Sequence, residues 1–145
     1  MKVLMRIDDS KSSGNLVRAL VAQFRTDETK ILALHVLAPV EPVAPPEMSP
    51  GYAPELEDQR KPALILLEQI ADELRRAGFS VETAVEIGDA RDTIIETART
   101  WKADLILVGS HGKRDIQSLL LGSVSESVAR HAKCSVEIVR VPATD

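Results

Sequence analysis

Residues 103–124 read ADLILVGSHGKRDIQSLLLGSV, and both the fold and the function can be argued outward from this stretch. It begins with Ala103 to Val108, a nearly continuous apolar run that is typical of a strand buried on both faces of a parallel sheet. Glycines follow this run directly, and a helical pattern then extends from Ser123 to His131. The stretch therefore predicts a strand, a glycine-bearing connection and a helix in succession.

The same alternation of strand and helix recurs along the chain. Apolar or alternating runs predict four more strands, at Val3 to Ile7, Lys30 to Leu37, Val81 to Ile87 and Ser135 to Val141. Because strands separated by helices need crossover connections, the pattern favours an α/β fold with a mostly parallel, open sheet and helices on both faces. We expect one domain over residues 1–145.

Capping residues predict where the helices begin. Ser12 and Ser13 precede the first helical pattern, and Asp89 precedes the third. Ser123 stands at the N-terminus of the fourth, where its hydroxyl either caps the helix or donates to a phosphate oxygen. Pro62 is expected near the start of the second helix, where its missing N–H does little harm.

Between the second strand and the second helix, an acidic, proline-rich loop is predicted at about residues 38–56. Residues 38–54 contain six of the eight prolines, which remove backbone donors and disfavour helix. Residues 41–60 carry five acidic residues and one basic residue, a local net charge of −4. The remainder of the chain is balanced, so residues 41–60 account for the total net charge of −4.

The composition excludes several classes of protein. A net charge of −4 argues against general binding to nucleic acid or to a membrane surface, since both need a basic excess. The single cysteine, Cys134, cannot form an internal disulfide, and three scattered histidines give no metal-ligand spacing. With short apolar runs and early acidic residues at Asp8 and Asp9, we expect a soluble cytoplasmic protein.

The glycines after the apolar run at 103–108 indicate an anion site. Gly109 and Gly112 follow this run, and Gly122 stands immediately before the last helical pattern. Glycine lets backbone amides approach a phosphate closely, and a helix N-terminus adds oriented N–H groups and a partial positive charge. A turn glycine and a capping serine are the simpler interpretation of each residue alone, whereas their joint position between strand and helix favours phosphate binding.

At this point the sequence resembles the universal stress protein family. The family's nucleotide-binding pattern, G-x2-G-x9-G-[ST], is matched by Gly109, Gly112, Gly122 and Ser123. The opening MKVLMRIDDS and the run LALHVL are similar to the family's first and second strands. The resemblance implies five parallel strands in the order 3-2-1-4-5, a homodimer, and ATP held between the first and fourth strands.

The resemblance also implies roles for individual residues. Asp8 would meet the adenosine part of the nucleotide, and Val36 would line the adenine pocket. The remaining positions would surround the ribose and phosphates: Val108, Gly109, Gly112, Gly122, Ser123 and Val124. Arg6 departs from the family, because that strand position is usually small or apolar there.

The sequence also gives expectations about metal binding and about a partner chain. Mg²⁺ would accompany ATP, and Asp9 either holds it through water or, as the simpler interpretation, caps a turn or helix. No protein side chains are expected to form a dedicated metal site. The final strand, 135–141, is expected at a sheet edge whose unpaired backbone groups favour a homodimer.

The leading hypothesis is an ATP-binding stress-response or signalling module that changes state with its nucleotide. One alternative is a slow ATP-hydrolysing enzyme on the same fold, although no catalytic residues are indicated by the sequence. The other alternative is a dimeric interaction protein that binds no nucleotide. The complete glycine pattern favours the leading hypothesis over the last one.

Overall fold

Five parallel strands form one sheet in the computed structural model, which describes residues 1–39, 54–111 and 121–141. The strands are β1 (Lys2–Arg6), β2 (Lys30–Leu37), β3 (Ser80–Ile87), β4 (Leu105–Gly109) and β5 (Ser135–Val139). Their order is β3-β2-β1-β4-β5, and every neighbouring pair is parallel. The expected parallel α/β fold and its strand order are therefore confirmed. The predicted proline-rich loop lies largely on residues 40–53, outside the described part of the chain.

The burial of the strands follows their sequence patterns. The near-continuous apolar strands β1, β2 and β4 occupy the centre of the sheet, where both faces are covered. The alternating strands β3 and β5 occupy the two edges. Hydropathy along each strand thus matches its place in the sheet.

Four helices cover the two faces of the sheet. Within the described residues they are α1 (Ser10–Gln23), α2 (Pro54–Arg76), α3 (Ala90–Trp101) and α4 (Ser123–His131), and a 3-10 turn spans Thr26–Glu28. On one face, α1 and α2 pack on a core that includes Met5, Leu20 and Leu67. On the other face, α3 and α4 contribute Ile94 and Val128 to a second core. Alternate residues of each strand therefore belong to different cores.

The structure confirms one predicted helix cap and corrects another. Asp89 caps α3 as predicted, since its Oδ1 accepts hydrogen bonds from the N–H groups of Arg91 and Asp92 at 3.0 and 3.2 Å. At α1 the prediction of Ser12 and Ser13 is wrong, because Asp9 is the N-cap. Asp9 precedes both serines and its side chain accepts from the N–H of Ser12, so the two serines lie inside the helix.

The second helix begins earlier than expected and contains its proline in the interior. It starts at Pro54, so Pro62 lies well inside α2 and not near its start. Pro62 is exposed and removes one backbone hydrogen bond on the solvent side, which the long helix tolerates because its other face packs on the sheet. Gly78, just beyond the helix, has a φ of 107°, the left-handed conformation that glycine commonly adopts after a helix.

Candidate functional site

The sheet changes its winding direction between β1 and β4. The chain moves outward from β1 through β2 to β3, and then returns to the other side of β1 to form β4. In open parallel sheets, ligands bind at the carboxyl ends of the strands where this reversal occurs. Here those ends are Arg6 in β1 and Gly109 in β4. The predicted site residues at the two strand ends are thus brought to the same edge of the sheet.

Asp8 follows β1 at this edge and is paired with a cation. Its Oδ1 lies 3.5 Å from a terminal guanidinium nitrogen of Arg6, and the two side chains are 18% and 14% exposed. The charge at the end of β1 is therefore a largely enclosed ion pair and not a lone carboxylate.

Asp9 is engaged by the first turn of α1. Its Oδ1 accepts hydrogen bonds from the N–H and the hydroxyl of Ser12, at 2.8 and 2.9 Å. The hydroxyl of Ser13 donates to the Asp9 carbonyl oxygen. Of the two roles considered for Asp9, capping is the one that the geometry supports. Among the residues described by the structure, no group of three or more His, Cys, Asp or Glu side chains is placed to hold a metal ion.

Gly109 ends β4 in a position where a side chain would be crowded. A Cβ atom built there would lie 3.0 Å from Cγ2 of Val141. The hydroxyl of Ser125, in the first turn of α4, donates to the Gly109 carbonyl oxygen. The close approach of Val141 therefore favours glycine at position 109, in addition to any role toward a ligand.

Ser110 ties the end of β4 to both neighbouring segments. Its N–H donates to the carbonyl of Val139 in β5, and its hydroxyl accepts from the N–H of Val141, both at 2.8 Å. Its carbonyl accepts from the N–H of Gly122 at 2.8 Å. Sequence reasoning gave no role to Ser110 or Ser125. A serine beside a glycine, as Ser110 is, indicates only a turn or a cap, and Ser125 lies within the helical pattern. The burial of Ser125, which is 1% exposed, appears only when α4 lies against β4.

The N-terminus of α4 lies beside Ser110 and has no side-chain cap. Gly122 is the N-cap, with φ of −62° and ψ of 153°, and it makes no side-chain capping hydrogen bond. The helix spans Ser123–His131 as predicted. Of the two roles considered for the Ser123 hydroxyl, capping is not the one observed, because Ser123 is already the first residue of the helix and is exposed. The first N–H groups of a helix have no partners within it and carry a partial positive charge. This end of α4 can accept an anion.

The predicted valines lie on the face of the sheet that α3 and α4 cover. Val36 and Val124 are half-buried and pack against the core on that face. Val108 is fully buried within it. Val36 and Val124 thus retain accessible surface near the strand ends, whereas Val108 has none. Gly112 lies in residues 112–120, outside the described part of the chain.

Sequence reasoning assigned no role at the site to His35. Its Nδ1 lies 2.7 Å from the carbonyl oxygen of Ile7, the residue before Asp8. This contact, together with the hydrogen bond from the Ile7 N–H to the Leu34 carbonyl at 2.8 Å, holds the chain beyond β1 against β2. His35 therefore helps to position Asp8.

The sequence matches the universal stress protein family over residues 1–140. The chain belongs to this family. Among curated relatives, it is 30% identical over 147 residues to the universal stress protein YxiE of Bacillus subtilis, a match that covers 96% of this chain and 98% of the relative.

Solved structures of universal stress proteins share the fold. Protein MJ0577 of Methanocaldococcus jannaschii superposes with a TM-score of 0.82 at 26% identity, covering 99% of this chain and 97% of that protein. A universal stress protein crystallised in complex with cAMP superposes with a TM-score of 0.69 at 26% identity and 98% coverage of both chains. The family resemblance drawn from the glycine pattern is thereby confirmed.

The described residues include no helix with the length and apolar character that crossing a bilayer requires.

Proposed function

We propose that this universal stress protein binds ATP in the crevice between β1 and β4 and acts as a nucleotide-dependent stress-response or signalling module. The observation that carries the proposal is the uncapped N-terminus of α4, held beside the end of β4 by the hydrogen bond from Gly122 to Ser110. Backbone N–H groups at such a terminus bind phosphate well. The universal stress protein solved with cAMP supports an adenine nucleotide as the ligand class.

The residue roles in this proposal follow the two sides of the crevice. On the β4 side, the triphosphate would be bound by Gly109, Gly112, Gly122, Ser123 and Val124, and Val108 would support them from within the core. On the β1 side, Asp8 would contact the adenosine and Val36 would line the base pocket. ATP would bring Mg²⁺, coordinated by its phosphate oxygens and water.

Two further features belong to the same proposal. We expect a cytoplasmic protein whose single domain extends over residues 1–145, and a homodimer formed through β5. The edge position of β5 supports the dimer, as does Ile138, which is 37% exposed there. No binding to nucleic acid or membranes is proposed.

The direct test is to purify the protein under native conditions, denature it and identify any released nucleotide by mass spectrometry. Calorimetric titration of nucleotide-free protein with Mg-ATP then measures the affinity. Recovery of an adenine nucleotide together with saturable binding is the expected result. Turnover of bound ATP on standing would favour the slow hydrolase, and the absence of any nucleotide binding would favour the interaction protein.

A further inference from the structure

Arg6 is an unusual residue for the centre of this sheet. It ends β1, and strand alternation places it on the same face as Leu4, which belongs to the core under α3 and α4. Across the sheet it pairs in register with Leu34 of β2, and Val108 lies at the same level in β4. Both of these neighbours are fully buried. A cation between them pays a desolvation penalty, so packing alone does not explain its presence.

The guanidinium of Arg6 is only partly satisfied by the protein. Among the residues that the structure describes, its one recorded polar contact is Asp8, at 3.5 Å. That distance is long for a charged hydrogen bond. A guanidinium carries several N–H donors in a fixed fork, and polar groups that are largely buried normally have partners. Within the described part of the chain, Arg6 therefore has N–H donors beyond the one that faces Asp8, at the carboxyl end of β1.

Arg6 and Asp8 together present a donor and an acceptor side by side. The half-buried Val36 of β2 lies on the same face of the sheet, beyond Leu34, and adds an apolar surface. Adenine carries a ring-nitrogen acceptor next to an exocyclic amine donor, which is the complementary arrangement on a flat, largely apolar ring. The N-terminus of α4 lies on the β4 side, where its N–H groups would bind the phosphates. Arg6 and Asp8, at the end of β1, are therefore the groups that can hydrogen-bond to the base.

We propose that Arg6 is a specificity-determining residue that reads the base: its guanidinium donates to a ring nitrogen while Asp8 accepts from the neighbouring amine. This inference rests on the proposed nucleotide-binding function. The ion pair between Arg6 and Asp8 holds the two groups side by side at the end of β1.

The test compares Arg6→Met with the control Arg25→Met. Methionine is chosen because the surroundings of Arg6 are apolar. Arg25 is the control because it is exposed and precedes the 3-10 turn at the opposite end of the sheet. Each protein is titrated calorimetrically with Mg-ATP and with inorganic tripolyphosphate, which has the phosphates but no base. We expect Arg6→Met to weaken ATP binding at least about tenfold, as loss of a charge-assisted hydrogen bond does, without changing tripolyphosphate binding. Arg25→Met should change neither.

Other results would overturn the inference and show which step failed. Equal or tighter ATP binding by Arg6→Met would mean that Arg6 only fills the crevice, and the proposed function would stand. Equal weakening for both ligands would mean that Arg6 acts on the phosphate charge and not on the base. If the wild-type protein binds neither ligand, the proposed function fails and this inference fails with it.

A second variant covers the case in which Arg6→Met does not fold. Arg6→Lys keeps the charge but loses the forked donor geometry. It should still weaken ATP binding and leave tripolyphosphate binding unchanged. A lysine variant that binds ATP as well as wild type would also overturn base reading by the guanidinium.

Discussion

The hydroxyl of Ser110 accepts a hydrogen bond from the main-chain N–H of Val141 at 2.8 Å, which joins the end of β4 to the segment just beyond β5. Val141 is itself buried, and its side chain occupies the space that a Cβ on Gly109 would need. Val141 therefore holds the end of β4, where the glycine pattern begins.

Replacing Ser110 by alanine should destabilise the protein. The substitution leaves the N–H of Val141 without its partner in a buried position, which costs about 1–3 kcal/mol. Urea unfolding followed by circular dichroism measures the change. Ser135→Ala, which alters an exposed serine at the start of β5, is the control and should have little effect. Equal stability of the two variants would show that the Ser110 hydrogen bond contributes nothing measurable.

Gly122→Val should weaken Mg-ATP binding at least about tenfold, which is about 1.4 kcal/mol. The N-cap backbone at Gly122 has φ of −62°, which valine also adopts, so the effect would come from a side chain obstructing the phosphates and not from strain. Circular dichroism should match wild type, and calorimetry measures the affinity. His111→Ala, in the same connection, should have the smaller effect. A folded Gly122→Val protein with unchanged affinity would indicate that the glycine serves only the turn.

Ile138→Lys should convert the expected dimer into a monomer. A lysine at this exposed position of an edge strand places a charge where a symmetry-related β5 would pack. Sedimentation velocity at high micromolar concentration distinguishes the two states. Ile65→Lys is a matched control, since Ile65 is also exposed but lies on α2. A wild-type protein that sediments as a monomer at this concentration would contradict the β5 interface.

Asp89→Ala should cost about 1 kcal/mol at neutral pH through loss of the α3 cap. The hydrogen bond from the side chain of Arg91, followed by the backbone N–H of Asp92, holds the pKa of Asp89 below its ordinary value of 3.8. Because this pKa is lowered in the folded protein, the contribution is fully present above the ordinary value and is lost as the pH falls through the folded one.

The decisive measurement is how the difference in unfolding free energy between wild type and Asp89→Ala depends on pH. Urea unfolding of wild type and Asp89→Ala should show a stability gap that is constant near neutrality and narrows below about pH 3.8. Asp27→Ala removes a carboxylate from an exposed ion pair with Arg25 and should change stability little. A gap that persists unchanged into strong acid would show that the Asp89 charge is not involved.

Helix caps illustrate how far sequence reasoning reaches. Asp89 was predictable because an aspartate immediately before a helical pattern can accept hydrogen bonds from N–H groups two and three residues on. The first residue of α4, Ser123, was also predictable, but the residue that caps it was not, because Gly122 and Ser123 are both acceptable N-caps. The choice depends on the N–H of Gly122 reaching the carbonyl of Ser110, a contact between segments that the local pattern does not contain.

The sequence by itself determined the class of the fold and the ends of the strands where polar residues collect. The hydropathy pattern of a strand depends on which of its faces are buried, and it is visible within a few consecutive residues. For this reason β1 and β4, and the aspartates and glycines that follow them, could be recognised along the chain. Only the tertiary structure decided that Arg6 pairs with Asp8, that Val141 crowds Gly109, and that Ser125 is buried against β4. These relationships depend on distances between side chains and segments, which sheet register and helix packing set and which spacing in the sequence does not encode.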